Sequence, residues 1–394
     1  MRFPFVPSKF VAGLAAAAIA ATPFTGSAAD PYEINVIVPL SGPAAFIGKE
    51  EVNGLSVLED MVNRSGGVRG RPIKFVVQDD QSNAQIAVEL TNAVIAKKVP
   101  IILGSSFVSS CNAMAPLAAN GPVVYCFSPG IHPAPGSYVF SAGSSTFDFI
   151  VASIRWLRER GLKKVAIMTS TDATGQDAER GIDAAVNAAE NNGTVSLVDR
   201  EHFNTTDLSV SAQIAHIKAS GALAAMLWSV GTSFGTLLRE AVQGGLTIPL
   251  LTSAGNLNFA QLQGYASFMP DTLYMMAPPW ADASRLPSPA VRRTIAAYQD
   301  AFKPTGVRPD EGQSLSWDAA LLVIDALKRY GTTASATQIR DYLAGVHGWT
   351  GVNGVYDFGR IPQRGVGIDW LVMVRWDKTN NALVAVSKPG GMPL

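Results

Sequence analysis

Ser233 lies in the run Gly231-Thr232-Ser233-Phe234-Gly235, which matches the G-x-S-x-G elbow that presents a nucleophilic hydroxyl on a strand-to-helix turn. An apolar stretch ending at Ser229 precedes it and a helix-period stretch from Phe234 to Val242 follows, the context that such an elbow requires. A hydrolase built on it needs an acid and then a histidine downstream, and the only later histidine is His347, in a Gly-rich loop well past the parallel strands. A βα loop that caps its helix with Thr232 or Ser233 is the commoner use of the same residues. A secreted serine hydrolase acting through Ser233 therefore stands as an alternative of another class.

The other reactive-looking groups point to less chemistry. Gly42 to Lys49 resembles a phosphate loop, but five residues separate Gly42 from Gly48 where four are needed, and Glu50 follows the lysine. Asp79-Asp80 are adjacent on an extended segment, so their carboxylates point apart and read as a strand-end turn. The histidines His132, His202, His216 and His347 include no pair at helical ligand spacing, so neither a metal nor a cofactor is expected. Cys111 and Cys126 are the only cysteines, one opening a helix and one ending the next strand; a disulfide and a pair of buried thiols are both open.

These groups must be positioned by a chain of 394 residues with 31 basic and 31 acidic side chains, 47% hydrophobic and 16% charged. That composition excludes a disordered chain, and the zero net charge with no basic stripe excludes a nucleic-acid partner. Arg2 and Lys9, the apolar run Phe10 to Ala21 and the small residues Ser27-Ala28-Ala29 read as a secretory signal over residues 1–29. The run is too short to span a bilayer, and no cysteine follows it to take a lipid. Removing it leaves 29 basic against 31 acidic residues, in an exported, oxidising compartment.

From Ile34 onward, short apolar runs alternate with helix-period stretches: Ile34 to Leu40 then about Gly48 to Asn63, Ile73 to Gln78 then Ala84 to Lys98, Pro100 to Leu103 then Cys111 to Ala119, and Val123 to Phe127. The turn-rich Ser141 to Ser145 interrupts this, and the same grammar resumes through strands at Val165 to Thr169, Thr194 to Phe203, Leu223 to Ser229 and Ile248 to Thr252. Thr272 to Ala277, three helical stretches and two β runs, Trp370 to Trp376 and Ala382 to Val386, close the chain. The pattern predicts an α/β protein with two doubly wound parallel sheets of about five strands each, and a ligand in the cleft between them.

Several runs, in order, resemble the leucine/isoleucine/valine-binding type of periplasmic solute-binding proteins, which serve ABC importers: Ile37-Val38-Pro39-Leu40-Ser41-Gly42-Pro43 with Ile47-Gly48, Gly66-Gly67-Val68 with Gly70, and Leu103-Gly104-Ser105 with Ser109-Ser110. Pro129, Thr174-Gly175-Gln176-Asp177, Leu238-Arg239-Glu240 and Gly351 to Phe358 continue it, so that it covers essentially everything after Asp30. The resemblance implies the type I periplasmic binding protein fold, two lobes joined by a three-strand hinge. The implied boundaries are 30–147 plus 279–362 for the first lobe and 148–278 plus 363–394 for the second. It also implies a monomer that closes on its ligand and meets an ABC permease and ATPase complex.

Carried over residue by residue, the resemblance implies a carboxylate clasp at Phe107, Ser109 and Ser110, with the family's serine falling on Val108, and at Gly130 and His132 in the next loop. Phe46, Ile47, Thr174, Trp228, Val230 and Trp280 supply an apolar face suited to a flat hydrophobic acid such as a benzoate or cinnamate. Ala254 stands where the family's amino acid binders carry an acid. An ammonium left without a carboxylate in a closed cleft costs several kcal/mol, so leucine, isoleucine and valine are expected to bind at least ~100-fold more weakly than the best deaminated or aromatic acid. A branched-chain amino acid or amide binder is the alternative within the family.

Overall fold

The alternation of strands and helices is realised in two sheets over residues 30–394, the residues that this computed structural model describes; the signal expected over residues 1–29 lies outside them. In the first sheet, β1 (Tyr32–Val38), β2 (Ile73–Asp79), β3 (Ile101–Gly104), β4 (Val123–Cys126) and β5 (Val139–Ser141) run parallel in the order β2-β1-β3-β4-β5. Helices α1 (Ala45–Arg64), α2 (Ala84–Ile95) and α3 (Val108–Met114) connect them. Alternate side chains of β1 feed two cores: Val36 and Val38 pack with Leu55, Leu58 and Val62 of α1, whereas Ile37 packs with Val94 of α2 and Met114 of α3. A strand buried on both faces reads as an unbroken apolar run, which is why it was visible in the sequence.

The second sheet is built from β6 (Lys164–Ser170), β7 (Ser196–Phe203), β8 (Ala224–Trp228), β9 (Leu250–Thr252) and β10 (Leu273–Ala277), with α4 (Thr146–Glu159), α5 (Ala173–Asn187), α6 (Ser211–Ala219), α7 (Thr232–Gln243) and α8 (Phe259–Tyr265) around them. These five strands are parallel, and β13 (Val372–Asp377) and β14 (Ala382–Ala385) extend the sheet antiparallel, in the order β14-β13-β10-β9-β8-β6-β7. The count of about five strands thus holds for the first sheet and falls short by two for the second.

Between β10 and β13 the chain returns to the first sheet through α9 (Pro289–Phe302), α10 (Glu311–Tyr330) and α11 (Ala336–Ala344), with α10 packed along α1. A hairpin of β11 (His347–Thr350) and β12 (Val355–Asp357) follows. His347, expected in a loop, therefore opens a strand, and its Nδ1 lies 2.8 Å from Asp357 Oδ1. β5 adjoins the turn-rich Ser141 to Ser145 and the hairpin lies in a Gly-rich stretch, so neither reads apart from loop in the sequence.

Three crossovers join the two sheets, after β5, after β10 and after β12. The first and third are tied together: the Ser141 N–H donates to the Gln363 carbonyl (2.9 Å) and the Ser144 hydroxyl to the Gly367 carbonyl (3.1 Å). Cys111 and Cys126 form a disulfide between α3 and β4, which resolves the open choice in favour of the bridge.

Candidate functional site

The carboxyl ends of the parallel strands of both sheets face one another across a cavity, the place where such sheets bind small ligands. The two halves meet around it. Phe46 abuts Gly231, Val108 packs in the same cluster as Ala173 of α5, and His132 Nε2 lies 2.8 Å from Asp177 Oδ1. Gly231 permits the first of these contacts: a Cβ there would stand 2.9 Å from Phe46 Cε1, and its φ of 75° is one that side chains rarely adopt.

On the first side, the opening turn of α1 brings Phe46 and Ile47 into the wall. Gly48 allows it, since any side chain there would run into the carbonyl of Pro39 at the end of the β1 segment. The loop between β3 and α3 contributes Ser106, Phe107 and Val108. Its Ser106 N–H donates to Glu51 Oε1 (3.2 Å), while the Ser106 hydroxyl lies beside the same carboxyl without a well-formed hydrogen bond. Burial drives the Glu51 carboxyl well above the ordinary range, partly offset by Ser106. The first N–H groups of α3 precede its first main-chain bond, Cys111 N–H to the Phe107 carbonyl, so this turn keeps donors for a ligand.

Ser128, Pro129 and Gly130 complete that side. Behind them the guanidinium of Arg364, itself buried, donates to the carbonyls of Ile131 (2.6 Å), Gly143 (3.0 Å), Pro129 (3.3 Å) and Ala142 (3.4 Å). Burial lowers its pKa to about 10, with Asp148 and Asp177 acting the other way, so it stays charged at neutral pH. One cation thereby fixes the loop behind that end of the cavity.

The second side is mostly apolar. Trp228 ends β8 and Val230 follows it, Phe149 comes from α4, and Leu315 of α10 meets them from the first side. Thr146, Thr174 and Ser253 add hydroxyls, and Ala254 and Gly255 leave their corner small. Of the twelve residues expected to face the ligand, eight line the cavity: Phe46, Ile47, Phe107, Gly130, Thr174, Trp228, Val230 and Ala254.

The other four do not line it. Because α3 starts at Val108 and each residue turns ~100°, Val108 takes the cavity face and Ser109 and Ser110 rotate off it. Ser110 is buried beside Asp80, whose pKa burial raises against that hydroxyl. Asp79 points the opposite way, as its position implied, accepting from the Ser41 hydroxyl (2.7 Å) and the Leu40 N–H (2.8 Å). His132 reaches outward to Asp177, and the Trp280 indole lies behind Glu311 on the wall of a neighbouring pocket. The Ser233 hydroxyl bonds to Ser229 and to the Val230 carbonyl within its own turn, and His347 belongs to the distant hairpin, so the triad of a hydrolase is not assembled.

Glu311, the first residue of α10, was absent from the sequence reading. It lines the cavity, is 2% exposed, and neither carboxyl oxygen has a hydrogen-bond partner. Burial pushes its pKa up to about 8, against the neighbouring Trp280 indole. The expectation that no acid reaches the ligand is therefore corrected: none comes from the Ala254 turn, but α10 packs on that turn and supplies one.

The sequence profile described as periplasmic binding protein matches residues 31–381. The Leu/Ile/Val-binding protein homolog 3 of Brucella melitensis is 24% identical over 333 residues, which are 83% of this chain and 87% of that protein. A leucine-, isoleucine-, valine-, threonine- and alanine-binding protein of Pseudomonas aeruginosa is 25% identical over 64% of this chain and 69% of its own length. Among solved structures, a branched-chain amino acid transporter substrate-binding protein, LivJ of Streptococcus pneumoniae with isoleucine, superposes with a TM-score of 0.76 at 19% identity, covering 90% of this chain and 98% of that one. A Rhodopseudomonas palustris solute-binding protein with benzoate gives 0.75 at 18% identity, covering 92% and 97%. Two sheets joined by three crossovers, a cavity at their strand ends and a matching profile over nearly all of the described chain agree: the chain belongs to the periplasmic binding protein family.

Proposed function

We propose that this protein is the extracytoplasmic solute-binding component of an ABC importer, and that it closes on a small carboxylate with a hydrophobic, aromatic body. It acts by binding, without turnover. Export by the leader over residues 1–29 delivers it to the periplasm, where the closed monomer is what a permease and ATPase complex recognises. The moving bodies are residues 30–147 with 279–362 and residues 148–278 with 363–394.

The observation that carries this reading is the composition of the cavity wall. Phe46, Ile47, Phe107, Phe149, Trp228 and Leu315 surround it, Ser106 stands in the loop between β3 and α3, and Arg364 backs the next loop, which brings Ser128, Pro129 and Gly130 to the wall. Aromatic walls favour a flat apolar body, and hydroxyls with main-chain N–H groups near a buried cation favour an anionic end. Closure then adds contacts that the open form lacks, which is how a ligand shifts a hinged equilibrium.

A second reading has one specific observation in its favour. Glu311 is a carboxyl in the wall, and a branched-chain amino acid would bring an ammonium to it. The fold does not choose, because relatives holding isoleucine and benzoate share it.

The clasp is tested at Ser106. Ser106→Ala is expected to weaken cinnamate binding by about 1–3 kcal/mol, the range for removing a hydrogen bond to a charged group, as read by titration calorimetry. A dissociation constant within twofold of wild type would move the anion-binding end of the cavity elsewhere.

A further inference from the structure

Glu311 is the one titratable side chain among the residues that line the cavity. It is almost wholly buried, neither oxygen is satisfied within the chain, and the nearest donor is the Trp280 indole, which lacks a well-formed bond to it. A carboxylate left so would be a buried charge without a partner, which proteins avoid by neutralising the group or pairing it.

We propose that Glu311 works as a neutral carboxylic acid that donates its O–H to the bound ligand, so that an anionic ligand is captured only with Glu311 protonated. The inference rests on the reading of the ligand as an organic acid without an ammonium. Such a ligand leaves no second choice, because two carboxylates in one closed cavity repel strongly at low dielectric.

The surroundings act in the same direction. Glu50 on α1 and the adjacent Asp310 are acidic, and both carry raised pKa values from burial. Asp318 lies two turns along α10, also raised by burial, and Tyr298 comes from α9. Glu51 of α1 faces Ser106. The nearby cation, Arg308, lies over the Phe259 ring at 3.7 Å. None of these groups brings a positive charge to Glu311, and burial holds its pKa near 8.

The sign of the pH dependence follows. With its pKa near 8, the donating form predominates below about pH 7, and the anion-binding form is lost as the pH rises through about 8. Cinnamate affinity of the wild type should be level from pH 6 to 7 and about tenfold weaker at pH 9, with close to one proton taken up on binding at pH 9 and almost none at pH 7. Calorimetry in buffers of different ionisation enthalpy reads both quantities. Glu311→Gln, a neutral group of the same shape that still donates, should lose the pH dependence, its cinnamate affinity at pH 9 matching its own at pH 7. The wild-type proton count keeps the test decisive if the variant fails to fold. A flat wild-type profile to pH 9 with no proton uptake would overturn the inference and leave the acid reading standing. Release of about one proton on binding leucine at pH 7, abolished in Glu311→Gln, would make Glu311 an ionised counterion and overturn it as well. Failure of cinnamate to bind at any pH would remove the acid reading, and this inference with it.

Discussion

Gly231→Val is expected to lower ligand affinity at least ~100-fold, a loss of ~2.7 kcal/mol, while leaving each lobe folded. Gly231 sits where the loop after β8 meets the first turn of α1, and a Cβ at that position would stand 2.9 Å from Phe46 Cε1 and 3.0 Å from the Pro43 carbonyl. Both neighbours belong to the opposite side of the cleft, so the added side chain wedges the two halves apart. The backbone adds to the effect, since φ is 75° and a β-branched residue there costs roughly 1–3 kcal/mol of strain. Titration calorimetry reads the affinity, and small-angle scattering with saturating ligand reads the closure. The variant should keep the scattering profile of the open form. Affinity within threefold of wild type, with normal compaction, would mean that the Phe46–Gly231 contact plays no part in closing.

Arg364→Met is expected to destabilise the protein by at least ~3 kcal/mol, because several buried carbonyls lose a charged donor together and the penalty for each stranded acceptor is ~1–3 kcal/mol. The four carbonyls belong to Pro129, Ile131, Ala142 and Gly143, which lie in the loop behind the cavity and in the first crossover. Arg364→Lys should recover only part of the loss, since an ammonium has three donors on a single atom and cannot reproduce the planar fork. Differential scanning calorimetry should find the melting temperature of Arg364→Met lower by at least about 5 °C. A melting temperature within one degree of wild type would show that the crossovers are held by main-chain bonds alone.

Much of the fold was legible before any coordinates. Strands such as β1, β6 and β8 are buried on both faces and therefore read as short apolar runs between helix-period stretches. Phe46 and Ile47 in the turn of helix after β1, and Trp228 and Val230 at the end of β8, reach the cavity because ligand sites in such sheets gather at the carboxyl ends of the strands. What failed was local phase and long-range partnership. Ser109 and Ser110 were the right residue types one and two positions too far along a helix, where ~100° per residue turns them away. His132 was misread because its partner, Asp177, lies 45 positions off in the other lobe. Glu311 was missed for a related reason. An Asp-Glu pair opening a helix ordinarily means a capping residue and a charge at the positive helix end, and only the packing of α10 on α1 and on the Ala254 turn carries that carboxyl into the cavity.

That carboxyl also resets the expected discrimination against amino acids. Without an acid in the wall, leucine was expected to trail an aromatic acid ~100-fold. With Glu311 present and its pKa near 8, ionising it at pH 7 to meet an ammonium costs about 1.4 kcal/mol, which reduces the expected margin to at least about tenfold. Titration calorimetry of the mature protein at pH 7 with cinnamate and, separately, with leucine tests the central claim most directly. The account predicts one molecule of cinnamate per chain and leucine binding at least about tenfold more weakly. Micromolar binding of leucine with no heat from cinnamate or benzoate would contradict it, and the ligand would have to be reassigned to the amino acids.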